Sequence, residues 1–81
     1  MDYPPNEHQR LKIKDIYYEV AAYMLREGQT SNTDIRANVD HTVHHWRMEG
    51  YDVRDYSQEK AVKSIKKIMH IARKLEDYAR H

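Results

Sequence analysis

The sequence predicts an all-α fold, a small three-helix bundle with short loops, occupying a single helical domain over residues 1–81. Three observations point there. From Ser57 to His81, the residues Ala61, Ile65, Ile68, Ala72, Leu75 and Ala79 recur at steps of four and three, which lines up one side of an α-helix. The two glycines, Gly28 and Gly50, stand where two earlier helical stretches need stops. No segment alternates apolar and polar residues long enough for a regular strand, although Tyr51-Asp52-Val53 is long enough for a short bridge.

The elements follow in order, over about residues 7–27, 31–49 and 57–80. Pro4 and Pro5 make an extended lead-in, and Asn6 with Gln9 three residues later has the spacing of a capping box. The first helix then runs to Glu27. Ile13, Ile16, Tyr17, Val20 and Met24 form one apolar stripe, and Leu11, Tyr18, Ala22 and Leu25 form a second on nearly the opposite side. A helix apolar on two sides is either covered by both neighbours or exposed to a partner. The second case predicts a homodimer through Leu11, Tyr18 and Leu25. Ser31 with Asp34 starts the second helix, whose stripe is Ile35, Val39, Val43 and Trp46. Trp46 is expected as a core plug, because an aromatic ring brings a large buried area to a small domain. Ser57, followed by Glu59 in the first turn, starts the third helix. The expected core is Ile16, Val20, Met24, Ile35, Val39, Val43, Trp46, Ile65, Ile68, Ala72 and Leu75.

Length and composition narrow the function classes. A chain of 81 residues has a shallow core, which argues against a cleft that engulfs a nucleotide cofactor. The absence of cysteine removes disulfides and thiolate metal ligands and fits a cytoplasmic protein in a reducing compartment. No apolar run approaches the length of a transmembrane helix. The acidic N-terminus lacks the apolar core of a secretory signal, and no membrane partner is expected.

Charge is nearly balanced in total and unevenly placed. Residues 1–56 carry seven Lys/Arg against ten Asp/Glu, a net of −3, whereas residues 57–81 carry seven against three, a net of +4. On the third helix Lys63, Lys66, Lys67, His70, Arg73 and Lys74 fall opposite the apolar stripe. They are the candidate partner-binding residues, since such asymmetry can mark an acidic partner. The alternative is a solvated lysine face that suits the negative C-terminal end of its own helix.

Three histidines cluster in His41-Thr42-Val43-His44-His45. His41 and His45 are one helical turn apart, the spacing with which two imidazoles chelate a divalent metal, and Glu49 is placed as a third ligand. No Glu follows His41 directly, so the metalloprotease pattern is absent, and no cofactor is expected. The same imidazoles would make a surface that gains charge as pH falls. Arg36 and His41 have the Arg-x4-His spacing of helical ribonuclease domains; that resemblance implies His41 as general acid/base and Arg36 as a phosphate holder. No glycine-rich phosphate loop, cysteine nucleophile or paired-carboxylate motif accompanies them.

The stretch Leu25-Arg26-Glu27-Gly28-Gln29-Thr30-Ser31-Asn32-Thr33-Asp34-Ile35, with Thr42-Val43 and Met48-Glu49-Gly50-Tyr51-Asp52-Val53 after it, resembles winged helix-turn-helix domains over about 29 residues. The resemblance implies that His44 and Arg47 reach base edges or phosphates. The chain departs from that pattern in two places. Only three residues separate Val39 from Val43, and a helix rather than a hairpin wing follows Val53, so one continuous second helix is expected.

The function expected from these features is a non-enzymatic regulator or inhibitor module that binds a macromolecule through the basic face of its last helix. Small bacterial and phage regulators offer a compositional analogy. A protein partner is favoured over nucleic acid because dedicated nucleic-acid domains are usually strongly basic. The alternatives are a helical DNA- or RNA-binding protein, and a histidine-based metal protein or ribonuclease-like enzyme.

Overall fold

The computed structural model describes residues 10–80. Three helices, α1 (Ile13–Glu27), α2 (Asn32–Met48) and α3 (Gln58–Ala79), each pack against the other two, making an all-α three-helix bundle. Two short extended pieces, β1 (Arg10–Leu11) and β2 (Asp52–Val53), pair in parallel, with Arg10 opposite Asp52 and Leu11 opposite Val53.

Both glycines end helices by the same device. Gly28 (φ 71°) donates its N–H to Leu25 O and Gln29 donates to Met24 O at 2.9 Å. Gly50 (φ 94°) donates to Arg47 O and Tyr51 to Trp46 O, both at 3.0 Å. This is the Schellman pattern, which requires a left-handed residue that only glycine adopts cheaply. At the second site the apolar contact that often accompanies the motif is present, since the rings of Trp46 and Tyr51 meet edge-on at 5.0 Å. Ser31 caps α2 by accepting the Asp34 N–H at 3.1 Å. Ser57 precedes α3 in an extended conformation, and its side chain makes no capping bond. The Asn6–Gln9 capping box lies outside the described residues.

The first helix starts later than its sequence suggests. It begins at Ile13, and Arg10 and Leu11, expected inside it, are extended and paired with β2. The backbone of Asp52–Val53 offers these residues a partner, and tertiary pairing of this kind overrides the helical propensity of Arg and Leu. Leu11 packs against the core from that position.

The core contains Ile16, Val20, Met24, Ile35, Val39, Val43 and Ile65, all as expected. Tyr17, Ala21, Val53, Ala61, Val62 and Met69 join it. Four expected members do not. Trp46 and Ile68 are half-buried at the edge of the core, Ala72 is half-buried, and Leu75 is 65% exposed. Trp46 stays at the edge, where its indole N–H reaches Glu19, and on α3 the reason is geometric. At about 1.5 Å per residue, the 22 residues of α3 span about 33 Å, against about 22 Å for the 15 of α1 and about 26 Å for the 17 of α2. The longest helix overshoots the other two, and every residue from Arg73 to Arg80 is exposed. Within the covered part, the buried side of α3 is turned toward Val62 and Met69.

Polar contacts tie the β2–α3 connection to α2. Arg47 donates to the carbonyl of Val53 at 3.0 Å. The Tyr56 hydroxyl donates to the Asp40 carboxylate, which also accepts from Gln58 Nε2 at 3.2 Å. Burial, reinforced by the Asp40 hydrogen bond and charge, pushes the Tyr56 phenol above the usual tyrosine range. Burial alone pushes Tyr17 in the same direction.

Candidate docking face on the third helix

All six basic residues singled out on α3 are exposed. Among the described residues the ion pairs are Arg54–Asp52 at 2.7 Å and Arg80–Glu76 at 2.8 Å, so none of the six is held by a carboxylate. They occupy a continuous arc of about 120° around the helix, but the fold gives its two edges different surroundings. Lys66, His70 and Arg73, at steps of four and three, line a cleft of about 150 Å³ with Thr30 from the α1–α2 loop, over Ile35 and Met69. Lys67 and Lys74 lie on the other edge, within one helical turn of Ile71.

That second edge borders a feature the periodicity of the sequence had hidden. Ile71, Leu75 and Tyr78 are 47%, 65% and 85% exposed, and Ile68 is half-buried one turn before them. Their steps of three, four and three form a narrow apolar seam on the part of α3 that runs past the bundle. The spacing was present in the chain, but a second series through Ile65, Ile68, Ala72 and Leu75 fits a helix equally well. The lengths of the neighbouring helices, and the rotation that turns Val62 and Met69 inward, separate the covered series from the exposed one.

The second stripe of α1 divides in the structure. Leu11 and Leu25 are half-buried against the core, and Tyr18 stays 59% exposed. The three residues therefore do not form one exposed apolar surface.

The histidines stand on the opposite side of α2 from its core stripe, and all three are exposed. His41 and His45 line an open groove of about 500 Å³ between α1 and α2, with Glu19, Tyr23, Arg26 and Asn38 among its other walls. Most polar groups around this groove already have partners. Trp46 Nε1 donates to Glu19 at 3.1 Å, Asn38 donates to Gln29 Oε1 at 2.9 Å and to Asp34 O at 2.8 Å, and the Arg26 guanidinium lies 5.8 Å from the centre of the Tyr23 ring. The His45 ring meets Trp46 edge-on at 5.1 Å.

Among the described residues, no group of three metal-ligating side chains is gathered in one place. The His41–His45–Glu49 set fails at its third member. Helix α2 ends at Met48, and Glu49, its exposed C-cap residue, is not gathered with the two histidines into one site. Arg36 and His41, five residues apart on one continuous helix, point about 140° away from each other. The unbroken α2 also places no turn between Val39 and Val43, and Arg47 uses a guanidinium nitrogen on the Val53 carbonyl. Among the described residues no helix is long and apolar enough to cross a membrane. No protein-family model, curated protein or solved structure matches this chain.

Proposed function

We propose that this chain is a non-enzymatic regulator or inhibitor module that works by binding a macromolecule, with a protein favoured, through the exposed face of α3. One observation supports this above the others. The distal half of α3 leaves the cover of the bundle with Ile71, Leu75 and Tyr78 exposed beside exposed lysines. A helix serving only the fold gains nothing from apolar side chains held in water, whereas an apolar strip edged by charge is the usual make-up of a protein contact surface. A nucleic-acid partner is the second reading. Its support is the cleft edged by Lys66, His70 and Arg73, whose cationic groups suit a phosphate.

The test uses the intact chain as bait in extract of its source cell, with and without nuclease. Reversing Lys63, Lys67 and Lys74 to Glu is expected to remove the captured partner and to leave thermal stability almost unchanged, because all three side chains are exposed. Capture that survives nuclease supports a protein partner. Capture that depends on nucleic acid, with a steep fall in affinity as salt rises, supports the second reading. Equal capture by wild type and the triple variant would refute both.

A further inference from the structure

The distal half of α3 carries two coincident sequence periods, and together they specify what would fit it. Ile68, Ile71, Leu75 and Tyr78 repeat with the alternating three- and four-residue steps of a coiled-coil seam, about 15 Å long. On one flank of this seam, Lys67 and Lys74 stand seven residues apart, and both are exposed. On the other flank, at the same interval, stand Ala72, half-buried, and Ala79, exposed. One side of the seam is thus a row of positive charge, and the other is apolar and small toward its distal end.

We infer that this face receives an acidic amphipathic helix from another protein, seated in heptad register along the seam, with its carboxylates facing Lys67 and Lys74. The inference rests on the protein-binding reading above and names the kind of protein. The spacing supplies the geometry, because a helix laid along α3 at a shallow crossing angle meets Ile68, Ile71, Leu75 and Tyr78 with its own apolar row. The flanking charge supplies the choice of occupant. In an antiparallel pair of two copies of this chain, the lysine row would face itself. In a parallel pair it would face Ala72 and Ala79 and leave every ammonium without a partner. A partner bearing Asp or Glu on that edge satisfies the row in either orientation. Small residues on the opposite flank let its backbone come close. Like-charge juxtaposition then excludes basic helices, a specificity that the apolar seam alone lacks.

The probe is a synthetic peptide of three heptads with Leu or Ile in the seam positions and Glu in both flanking positions. Its own like charges keep it from pairing with itself. Two controls accompany it, one with Lys replacing every flanking Glu and one with the Glu peptide's composition scrambled. The full chain is expected to bind the Glu peptide saturably, with NMR shift changes centred on Ile71, Leu75 and Tyr78, and to bind both controls at least roughly tenfold more weakly. Ile71→Ala with Leu75→Ala is expected to abolish binding while the melting temperature holds, since both side chains are exposed. Lys67→Glu with Lys74→Glu is expected to reverse the preference, so that the Lys peptide binds and the Glu peptide does not. This gain of binding cannot arise from a loss of folding.

Glu and Lys peptides that bind equally, or fail equally, would overturn the inference. So would a wild-type chain that sediments as a dimer and becomes monomeric on Leu75→Glu. Uptake by anionic lipid vesicles without any response to the Glu peptide would overturn it as well. Failure of the peptide arm alongside an extract partner that still needs Lys63, Lys67 and Lys74 would remove the acidic helix and leave the broader protein-binding proposal standing.

Discussion

Ile65 and Leu75 lie ten residues apart on α3, have side chains of equal carbon count, and both read as core residues from spacing alone. In the fold Ile65 is fully buried and Leu75 is 65% exposed. Replacing each with Ala therefore separates the covered part of the helix from the part that overshoots. At Ile65 the substitution removes three carbons from a closed site, a change that costs about 2–5 kcal/mol. A domain of this length has a total stability of about 4–12 kcal/mol, so Ile65→Ala is expected to consume a large share of it. The corresponding fall in melting temperature is roughly 10–30 °C. At Leu75 the side chain is mostly in water in the folded state, and alanine favours the helix, so the change is expected to stay within about 0.5 kcal/mol. Ile68→Ala, at a half-buried position, belongs between the two. Thermal and urea unfolding followed by the helical circular dichroism signal measure all three variants. A Leu75→Ala variant as destabilised as Ile65→Ala would show that the distal helix packs back on the body, and would remove the basis for a docking face there.

Amide hydrogen exchange should divide α3 in the same way, with slow exchange at Ala61–Met69 and fast exchange beyond Leu75, because an unsupported helical end opens without global unfolding; uniform protection to Ala79 would contradict the geometry. Gly28→Ala is expected to cost about 1–2 kcal/mol, since nothing lies within 4 Å of the added carbon and backbone strain at φ 71° is the main penalty. Gly28→Asn is expected to cost less, and the two are compared by urea midpoint. Because Tyr56 has a raised pKa in the folded state, the folded chain holds a proton that the unfolded chain releases near pH 10. Its contribution is therefore full below about pH 10 and is lost as pH rises toward the folded value. Tyr56→Phe is expected to make the alkaline fall in stability shallower, with Tyr17 supplying a further part in the same direction. An unchanged alkaline limb in this variant would show that the Asp40 contact is not maintained in solution.

The helical class, the stops at Gly28 and Gly50, the Ser31 cap and the inner stripe of α2 were legible in the sequence because each depends on near neighbours. A cap needs a hydroxyl at one position, a Schellman turn needs a glycine at one position, and a buried stripe needs the 3.6-residue period. The candidate site was legible in part. The lysines could be placed on α3, but their division into a cleft edge and a seam edge could not. Nor could the seam be told from the core, because two overlapping apolar series on α3 fit a helix equally well. The β1–β2 pairing escaped for a related reason, since a two-residue strand has no period of its own and exists only where a distant backbone offers a partner.

The sequence by itself therefore determined three helices, where two of them end, the inner faces of α1 and α2, and the positive charge of α3. Tertiary structure decided how far each helix is covered. Coverage depends on the relative lengths of packed neighbours, a property of the assembled bundle that no single stretch of sequence contains. The same apolar series that holds Ile65 in the core leaves Leu75 exposed, because α1 and α2 end before α3 does and the covered side of α3 is turned toward Val62 and Met69.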